Sequence, residues 1–174
     1  MNQINRRVVV TGLGAISPVG NDVKTSWDNL VSGVHGIGPI TRFDTTEYKA
    51  KLAAEVRNFD ARQYMEKAET LRSDLYAQYA LASACQAVEE SGILGTVDPE
   101  RFAVYFGSGI GGINTFTREH KKLLDRVPSR VSPYFIPMLI AHMGPGMIAI
   151  RSDCPCAAPP ALTARPSAPH ARRA

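Results

Sequence analysis

The chain lacks long apolar runs, a disulfide framework and a signal peptide. A membrane-spanning helix needs about 18 consecutive apolar residues, and the 174-residue chain has no run that approaches this length. The N-terminus has no apolar core of the kind that directs secretion. Three cysteines are too few for the paired framework of a small secreted domain. These absences argue against a membrane protein and predict a cytoplasmic one.

Net positive charge is concentrated at the C-terminal end. The net charge is +4, but residues 151–174 hold four arginines and one acid and so contribute +3, which leaves +1 for residues 1–150. A nucleic-acid-binding surface needs Lys and Arg clustered on the folded body. The nearly neutral body therefore predicts no nucleic-acid partner.

A glycine-rich loop after a short apolar segment is the most distinctive local pattern. Residues 103–106, AVYF, predict a strand buried on both faces, and a helix-like run follows at 114–124. Between them, Gly107, Gly109 and Gly112 satisfy G-x-G-x-x-G, the pattern of dinucleotide-binding loops. A lone match of this kind fits equally well with glycines that only permit a turn and tight packing. Both interpretations stay open on the pattern alone.

A second glycine segment lies near the N-terminus. The β-branched run Val8–Val10 predicts a buried strand, and VTGLGAISPVG at 10–20 superficially resembles the phosphate loop of a short-chain dehydrogenase. Ser17-Pro18 argues against that loop, because proline has no N–H for phosphate and disfavours a helical residue before it. A nucleotide-dependent dehydrogenase would also need an acidic residue about 20 positions beyond the loop, and no clear strand supplies one.

Apolar spacing predicts two amphipathic helices. The first follows a cap at Asn21 or Asp22, carries Trp27 as a core residue and ends at Gly33. The second runs from about residue 71 to 90 and ends at Gly92. The order of strands and helices predicts an α/β layered fold with a largely parallel buried sheet.

Two further positions carry predictions. Cys85 lies on the apolar stripe of the second helix, which favours a small packed residue over a nucleophile. Pro145 lies inside the apolar run at 136–150 and predicts a kink or break there.

Four segments in combination resemble one enzyme family. They are RRVVVTGLGAISPVGN at 6–21, the stretch at 73–84, GSGIGGI at 107–113, and SPYFIP at 132–137 followed by MIAIR at 147–151. Together they are similar to the N-terminal part of β-ketoacyl-acyl-carrier-protein synthases of the 3-oxoacyl synthase II type, the elongating condensing enzymes of fatty-acid synthesis. The resemblance implies a thiolase-like layered α/β fold of two related halves, each with a five-stranded sheet, of which this chain supplies only most of the first half.

The resemblance also implies a chemistry and its partners. In the family, a cysteine thiolate takes the acyl group from acyl-carrier protein as a thioester. Two histidines of the second half then assist loss of CO2 from malonyl-acyl-carrier protein, and a Claisen condensation follows. The family works as a homodimer, and no cofactor or metal is expected.

Two substrate-binding residues follow from the same resemblance. Ile110 matches the family position that lines the acyl-chain pocket, and Phe135 matches an aromatic residue that reaches this pocket, often across the dimer interface. Both residues would also suit ordinary core packing. Apolar side chains are what an acyl-chain tunnel needs, so the two interpretations are compatible.

The resemblance fails after Arg151. A family member continues with a short strand, a Gly-Pro turn and the nucleophile motif Thr-Ala-Cys. Here Thr163-Ala164 matches Thr-Ala by spacing, and Arg165 occupies the position of the cysteine. A permanently protonated guanidinium cannot form a thioester, so we expect no catalytic nucleophile and no activity from this chain.

The tail differs in composition from the body. Residues 151–174 contain seven alanines, five prolines and no glycine, and the prolines should interrupt any strand or helix. We therefore divide the chain into an incomplete N-terminal domain at 1–151 and an aberrant tail at 152–174 that we expect to be disordered. A frameshift in GC-rich coding DNA would produce such a composition.

The remaining thiols and imidazoles give no convincing site. Cys154 and Cys156 form C-x-C, but two thiols without further ligands are a poor zinc site. His170 lies in the same tail. The other histidines, His35, His120 and His142, have no nucleophile to serve and are predicted to lie in loops or on helix faces.

Three functions stay open. The first is an incomplete condensing acyltransferase. The second is a noncatalytic partner like the chain-length-determining subunits of polyketide synthases, which lack the cysteine but are full-length. The third and weakest is a nucleotide-binding dehydrogenase fragment. Half of a two-half fold would also expose apolar surface, so we expect marginal stability and aggregation.

Overall fold

The computed structural model describes residues 7–125, 127–153 and 160–162. Within these ranges the regular elements are six α-helices, four short strands and three 3-10 turns. The α-helices are α1 (Val23–Val31), α2 (Lys67–Leu71), α3 (Leu75–Ser91), α4 (Ile113–Asp125), α5 (Phe135–Leu139) and α6 (Met143–Arg151). The strands are β1 (Ile37–Pro39), β2 (Leu52–Ala54), β3 (Phe106–Ser108) and β4 (Pro160–Leu162), and 3-10 turns lie at Ala61–Gln63, Pro99–Arg101 and Pro128–Arg130.

The strands of the described ranges form two small sheets. β1 and β2 pair antiparallel, with Ile37 opposite Ala54, and β3 and β4 pair parallel, with Phe106 opposite Pro160. The prolines of the tail were expected to prevent any strand there, and this expectation is wrong for 160–162. Pro160 is the first residue of its strand, a position where the missing N–H removes no necessary ladder bond.

Helix α3 is the centre of the described core. It packs against α6, and its buried residues lie in its N-terminal half, between residues 77 and 82. Gly92 ends the helix in the left-handed conformation with φ of 59°, as the sequence predicts. The helix begins at Leu75 rather than near residue 71, because Asp74 caps it and the preceding turn ends the separate helix α2. The buried cluster around it consists of Ala61, Met65, Ala80, Leu81, Val104, Ile148 and Ala149.

The apolar run at 136–150 is broken, as Pro145 predicts. Helix α5 ends at Leu139, and α6 begins at Met143, so Pro145 lies in the first turn of α6. Proline is tolerated there, because the first turn has no intrahelical partner for its N–H groups. None of the helices in the described ranges has the length and apolar character to cross a membrane.

The predicted ends of helix α1 are confirmed, but the predicted burial of its tryptophan is not. Asp22 accepts a hydrogen bond from the Thr25 backbone N at 2.7 Å, and Gly33 follows the helix with φ of 77°. Trp27 is 65% exposed, however, so its prediction as a core residue is wrong. The reason is that only Ser26 of this helix is buried, and the apolar side of α1 faces outward.

The valine run near the N-terminus also differs from its prediction. Val8 is 95% exposed, and Val8–Val10 form no strand. The following Gly12 and Gly14 lie against the backbone of α3. Because the described ranges provide no strand to pair with residues 8–10, their β-branched side chains lie in solvent.

Candidate functional site

The glycine loop at 107–112 packs against the end of α5. A Cβ added at Gly112 would lie 2.1 Å from the Met138 carbonyl oxygen, and one at Gly111, where φ is 79°, would lie 2.6 Å from that of Leu139. The Gly112 N–H donates to the Leu139 carbonyl oxygen at 2.9 Å, and the Gly111 N–H donates to Ser108 Oγ at 2.9 Å. These glycines serve close backbone packing, and the N–H groups of Gly111 and Gly112 already have acceptors within the protein.

The N-terminal glycine segment has the same role against α3. A Cβ at Gly12 would lie 2.1 Å from the Ala87 carbonyl oxygen. The Leu13 N–H donates to the Glu90 carboxylate, and the Ala15 N–H donates to Gln86 Oε1 at 3.0 Å. A phosphate placed here would meet the Glu90 carboxylate. Neither glycine segment therefore supports the dinucleotide interpretation.

Ile110 and Phe135 lie on neighbouring elements of one unit. Ile110 is exposed at the tip of the glycine loop, directly before the glycine that contacts Leu139. Phe135 is half-buried at the start of α5, and its ring lies 6.3 Å from that of Phe116 on α4, centroid to centroid. Phe116, which the sequence analysis missed, is 41% exposed and also stacks on His120. The loop, α4 and α5 thus present an apolar surface.

Asp74 joins this unit to the core helix. Its carboxylate is buried and accepts hydrogen bonds from Thr115 N at 2.8 Å and from Thr115 Oγ1 at 2.6 Å. Thr115 lies in the first turn of α4 and is fully buried. The partnership fixes the first turn of α4 against the first turn of α3.

Glu119 is a second buried carboxylate, on the same helix. Its Oε2 accepts from the Ser132 backbone N at 2.9 Å, and its Oε1 accepts from Lys122 Nζ at 2.8 Å and from Arg118 Nε at 3.2 Å. Burial by itself would raise the pKa of Glu119, but these three hydrogen bonds outweigh it and lower the pKa to about 2. The carboxylate is therefore charged wherever the protein is folded near neutral pH.

Tyr76 holds the other end of α5. Its hydroxyl donates to the Ile140 carbonyl oxygen at 2.6 Å. Burial raises the pKa of Tyr76 to about 12, so the hydroxyl keeps its proton and remains a donor. No local sequence pattern indicates the contact of Tyr76 with Ile140 or that of Glu119 with Ser132, because the partners are 64 and 13 positions apart along the chain.

Cys85 lies half-buried in a groove of about 370 Å³ between α3 and α6. Burial raises the pKa of this thiol, and the nearby Arg151 only partly opposes that shift. A raised pKa leaves little thiolate, and the geometry agrees with a packed residue rather than a nucleophile.

The histidines lie apart from one another. His35, His120 and His142 are all exposed, and His35 Nδ1 lies 3.1 Å from the Ile37 carbonyl oxygen. In the described part of the chain, no group of three or more His, Cys, Asp or Glu residues could hold a metal ion. The tail positions that carry the earlier hypotheses lie outside the described residues: Cys154, Cys156, Thr163, Ala164, Arg165 and His170.

Two solved structures similar to this chain are a ketosynthase/chain length factor and a β-ketoacyl synthase. The ishigamide ketosynthase/chain length factor matches with a TM-score of 0.80 and 30% identity, over 91% of this chain and 40% of that one. A β-ketoacyl synthase from Burkholderia phymatum matches with a TM-score of 0.71 and 16% identity, over 89% of this chain and 39% of that one. The fold is therefore thiolase-like, and the described residues form part of its first half.

Sequence comparison identifies the family to which the chain belongs. The profile described as "Beta-ketoacyl synthase, N-terminal domain" matches residues 5–170, and the chain belongs to this family. It is 48% identical to 3-oxoacyl-[acyl-carrier-protein] synthase 2 of Staphylococcus aureus strain COL over 147 residues. These residues cover 84% of this chain and 36% of the relative. The enzyme of the same name from Synechocystis is 41% identical over 150 residues, 86% of this chain and 36% of the relative.

The matched ranges bear on the extent of the resemblance. The family profile continues past Arg151, where the motif-based resemblance ended, as far as residue 170. The chain spans about a third of the length of the curated relatives, since 36% of each is covered.

Proposed function

We propose that this chain forms the acyl-binding side of a condensing enzyme of fatty-acid elongation. The observation that supports this proposal is the unit of glycine loop, α4 and α5, which exposes Ile110 and Phe116 and packs the Phe135 ring against that of Phe116. Apolar and aromatic side chains are the usual lining of a pocket for an aliphatic ligand. The family and its 3-oxoacyl-acyl-carrier-protein synthase relatives make an acyl chain the natural occupant.

The reaction of the complete enzyme would be a decarboxylating Claisen condensation between an acyl thioester and malonyl-acyl-carrier protein. Acyl-carrier protein would deliver both groups in the cytoplasm, and the enzyme would act as a homodimer. In this assignment Ile110 and Phe135 contact the acyl chain and exclude water from it. The glycines at 111 and 112 keep the loop that carries Ile110 close to α5, the helix that begins at Phe135.

Residues 1–174 alone would form no acyl-enzyme. Acyl transfer needs a thiolate that attacks the thioester carbonyl and expels the thiol of the carrier. Arg165 stands where the motif spacing places that cysteine, and it offers no thiolate. Intact-mass spectrometry after incubation with acyl-acyl-carrier protein should show no adduct, and an adduct on the native chain would overturn this part of the proposal.

Acyl binding is tested by fluorescence titration with a dansylated aminoundecanoic acid. We expect Ile110→Asp and Phe135→Ala to weaken binding at least about tenfold, because each removes apolar contact with the chain. Ile37→Asp is the matched control, because Ile37 is an exposed isoleucine on the distant strand β1. Unchanged binding in the two site variants, or equal weakening in the control, would refute the assignment.

A noncatalytic partner subunit is the second candidate. The match to the ishigamide ketosynthase/chain length factor, at 30% identity, favours it. A partner of this kind would form a complex with a catalytic ketosynthase and raise its activity. Size-exclusion chromatography of the chain mixed with such an enzyme, followed by a condensation assay, separates this candidate from the first.

A further inference from the structure

Glu119 bridges the helix that carries Phe116 and the loop that leads to Phe135. Its side chain is 2% exposed, although it bears a charge. One carboxylate oxygen, Oε2, accepts the Ser132 backbone N–H at 2.9 Å. Ser132 lies three residues before Phe135. The carboxylate therefore fixes the chain just ahead of the aromatic residue.

The other carboxylate oxygen has a separate role. Oε1 accepts from Lys122 Nζ at 2.8 Å and from Arg118 Nε at 3.2 Å, and these two cations are 38% and 54% exposed. Arg118 also donates to Thr115 Oγ1 at 3.3 Å. The cations compensate the buried charge from the solvent side, which leaves Oε2 directed at the loop.

The far end of α5 is held by different partners. Gly112 N donates to the Leu139 carbonyl oxygen at 2.9 Å, and Tyr76 donates to that of Ile140 at 2.6 Å. At the near end, the Arg72 guanidinium lies 4.9 Å from the centre of the Tyr134 ring. An exposed cation–ring contact of this kind is weak, so the Glu119 to Ser132 bond is the strong restraint at this end.

We propose that Glu119 is a positioning residue for the acyl-binding surface. By holding Ser132 N it sets the place of the Phe135 ring against Phe116, and through that placement it sets the affinity for an acyl chain. The proposal about affinity rests on the proposed function, whereas the placement of Phe135 can be measured without any ligand.

The test compares Glu119→Leu with Lys122→Gln in the full chain. Glu119→Leu removes both acceptor oxygens, whereas Lys122→Gln breaks the shortest ion pair of Glu119 and leaves the bond to Ser132 intact. Incorporated para-fluorophenylalanine reports on all six phenylalanines by fluorine NMR, and Phe135→Leu, Phe116→Leu and Phe43→Leu assign the three resonances that are compared. Fluorescence titration with the dansylated acid measures the affinity of each variant for the acyl probe.

We expect Glu119→Leu to shift or broaden the resonances of Phe135 and Phe116 and to weaken probe binding at least about tenfold, the equivalent of one lost charge-assisted hydrogen bond. The resonance of Phe43, in the loop between β1 and β2, should not move. Lys122→Gln should leave both readouts near the wild type. Equal effects in the two variants would show that charge compensation or general stability is responsible, and would overturn the proposal.

A second pair of variants covers the case in which Glu119→Leu does not fold. Ser132→Pro removes the N–H donor of this bond and the hydroxyl and also fixes φ at residue 132, whereas Ser132→Ala removes the hydroxyl alone. We expect the proline variant, and not the alanine variant, to reproduce the shift and the weakened binding. If Ile110→Asp and Phe135→Ala do not affect probe binding, the proposed function fails. If they do and Glu119→Leu does not, only this inference fails.

Discussion

Asp74 accepts two hydrogen bonds from Thr115, one from its backbone N at 2.8 Å and one from its Oγ1 at 2.6 Å. The same carboxylate caps α3 by accepting from Tyr76 N. A buried acceptor with partners on two helices stabilises each helix start and the contact between them.

We expect Asp74→Ala to lower the free energy of unfolding by about 2–3 kcal/mol, because it removes a helix cap and leaves a buried N–H and hydroxyl without an acceptor. Asp22→Ala is the matched control, since Asp22 caps the exposed helix α1, and it should cost only about 1 kcal/mol. Urea denaturation followed by circular dichroism measures both. Equal losses would show that the bonds to Thr115 contribute little.

Stability should depend on the charge of Glu119 in acid. The folded-state pKa of about 2 lies below the ordinary value of 4.5, so the charged group contributes stability above about pH 4.5. That contribution is lost as the pH falls through the folded pKa. Unfolding free energies measured from pH 7 to pH 3 should fall in the native chain and fall less in Glu119→Gln. The exposed carboxylate Glu47 gives the control, and Glu47→Gln should keep the native pH dependence.

Gly112→Ala should prevent normal docking of the glycine loop on α5. The added Cβ would lie 2.1 Å from the Met138 carbonyl oxygen, a backbone atom that cannot move aside alone. We expect a loss of about 3 kcal/mol or more, typical of severe overpacking. Gly146→Ala in α6 meets nothing within 4 Å and should instead stabilise the chain by about 0.5–1 kcal/mol. Thermal unfolding of both variants gives the comparison, and a mild effect at residue 112 would contradict the packing described.

The Cys85 thiol should be slow to alkylate. Burial raises its pKa, and the thiol is half-buried in the groove between α3 and α6. In a Cys154→Ser/Cys156→Ser chain it is the single thiol, and its rate with iodoacetamide at pH 8 should be below about a tenth of that of an unstructured cysteine peptide. A rate equal to that of the peptide would mean that the groove opens readily.

Trp27 reports on the exposed apolar side of α1. It is the one tryptophan of the chain and is 65% exposed, so iodide should quench its fluorescence efficiently in dilute solution. Because large exposed apolar surfaces associate, we expect quenching to decrease and scattering to rise as the protein concentration increases. If light scattering shows a monomer in dilute solution and iodide still fails to quench Trp27, the exposure described is contradicted.

Part of the fold follows from short-range sequence features. Asp22 and Gly92 define helix ends, and the break before α6 follows from Pro145, because caps and proline effects act within about one helical turn. The motif combination that includes residues 107–113 was enough to indicate the family, since each motif is local. Ile110 and Phe135 came from the same resemblance, and their role in acyl binding stays a prediction.

The tertiary structure decided which side chains are buried and which polar groups contact one another. Trp27 and Val8 are residue types that are common in protein cores. Their burial depends on whether another surface covers them, and in the described ranges none does. Asp74 and Thr115 are 41 positions apart, and no periodicity relates them. Glu119 looks like a solvated residue of an amphipathic helix until Ser132 is placed against it. The sequence by itself determined local helix ends and family membership, whereas burial and polar pairing required the three-dimensional arrangement, because both depend on contacts between distant segments.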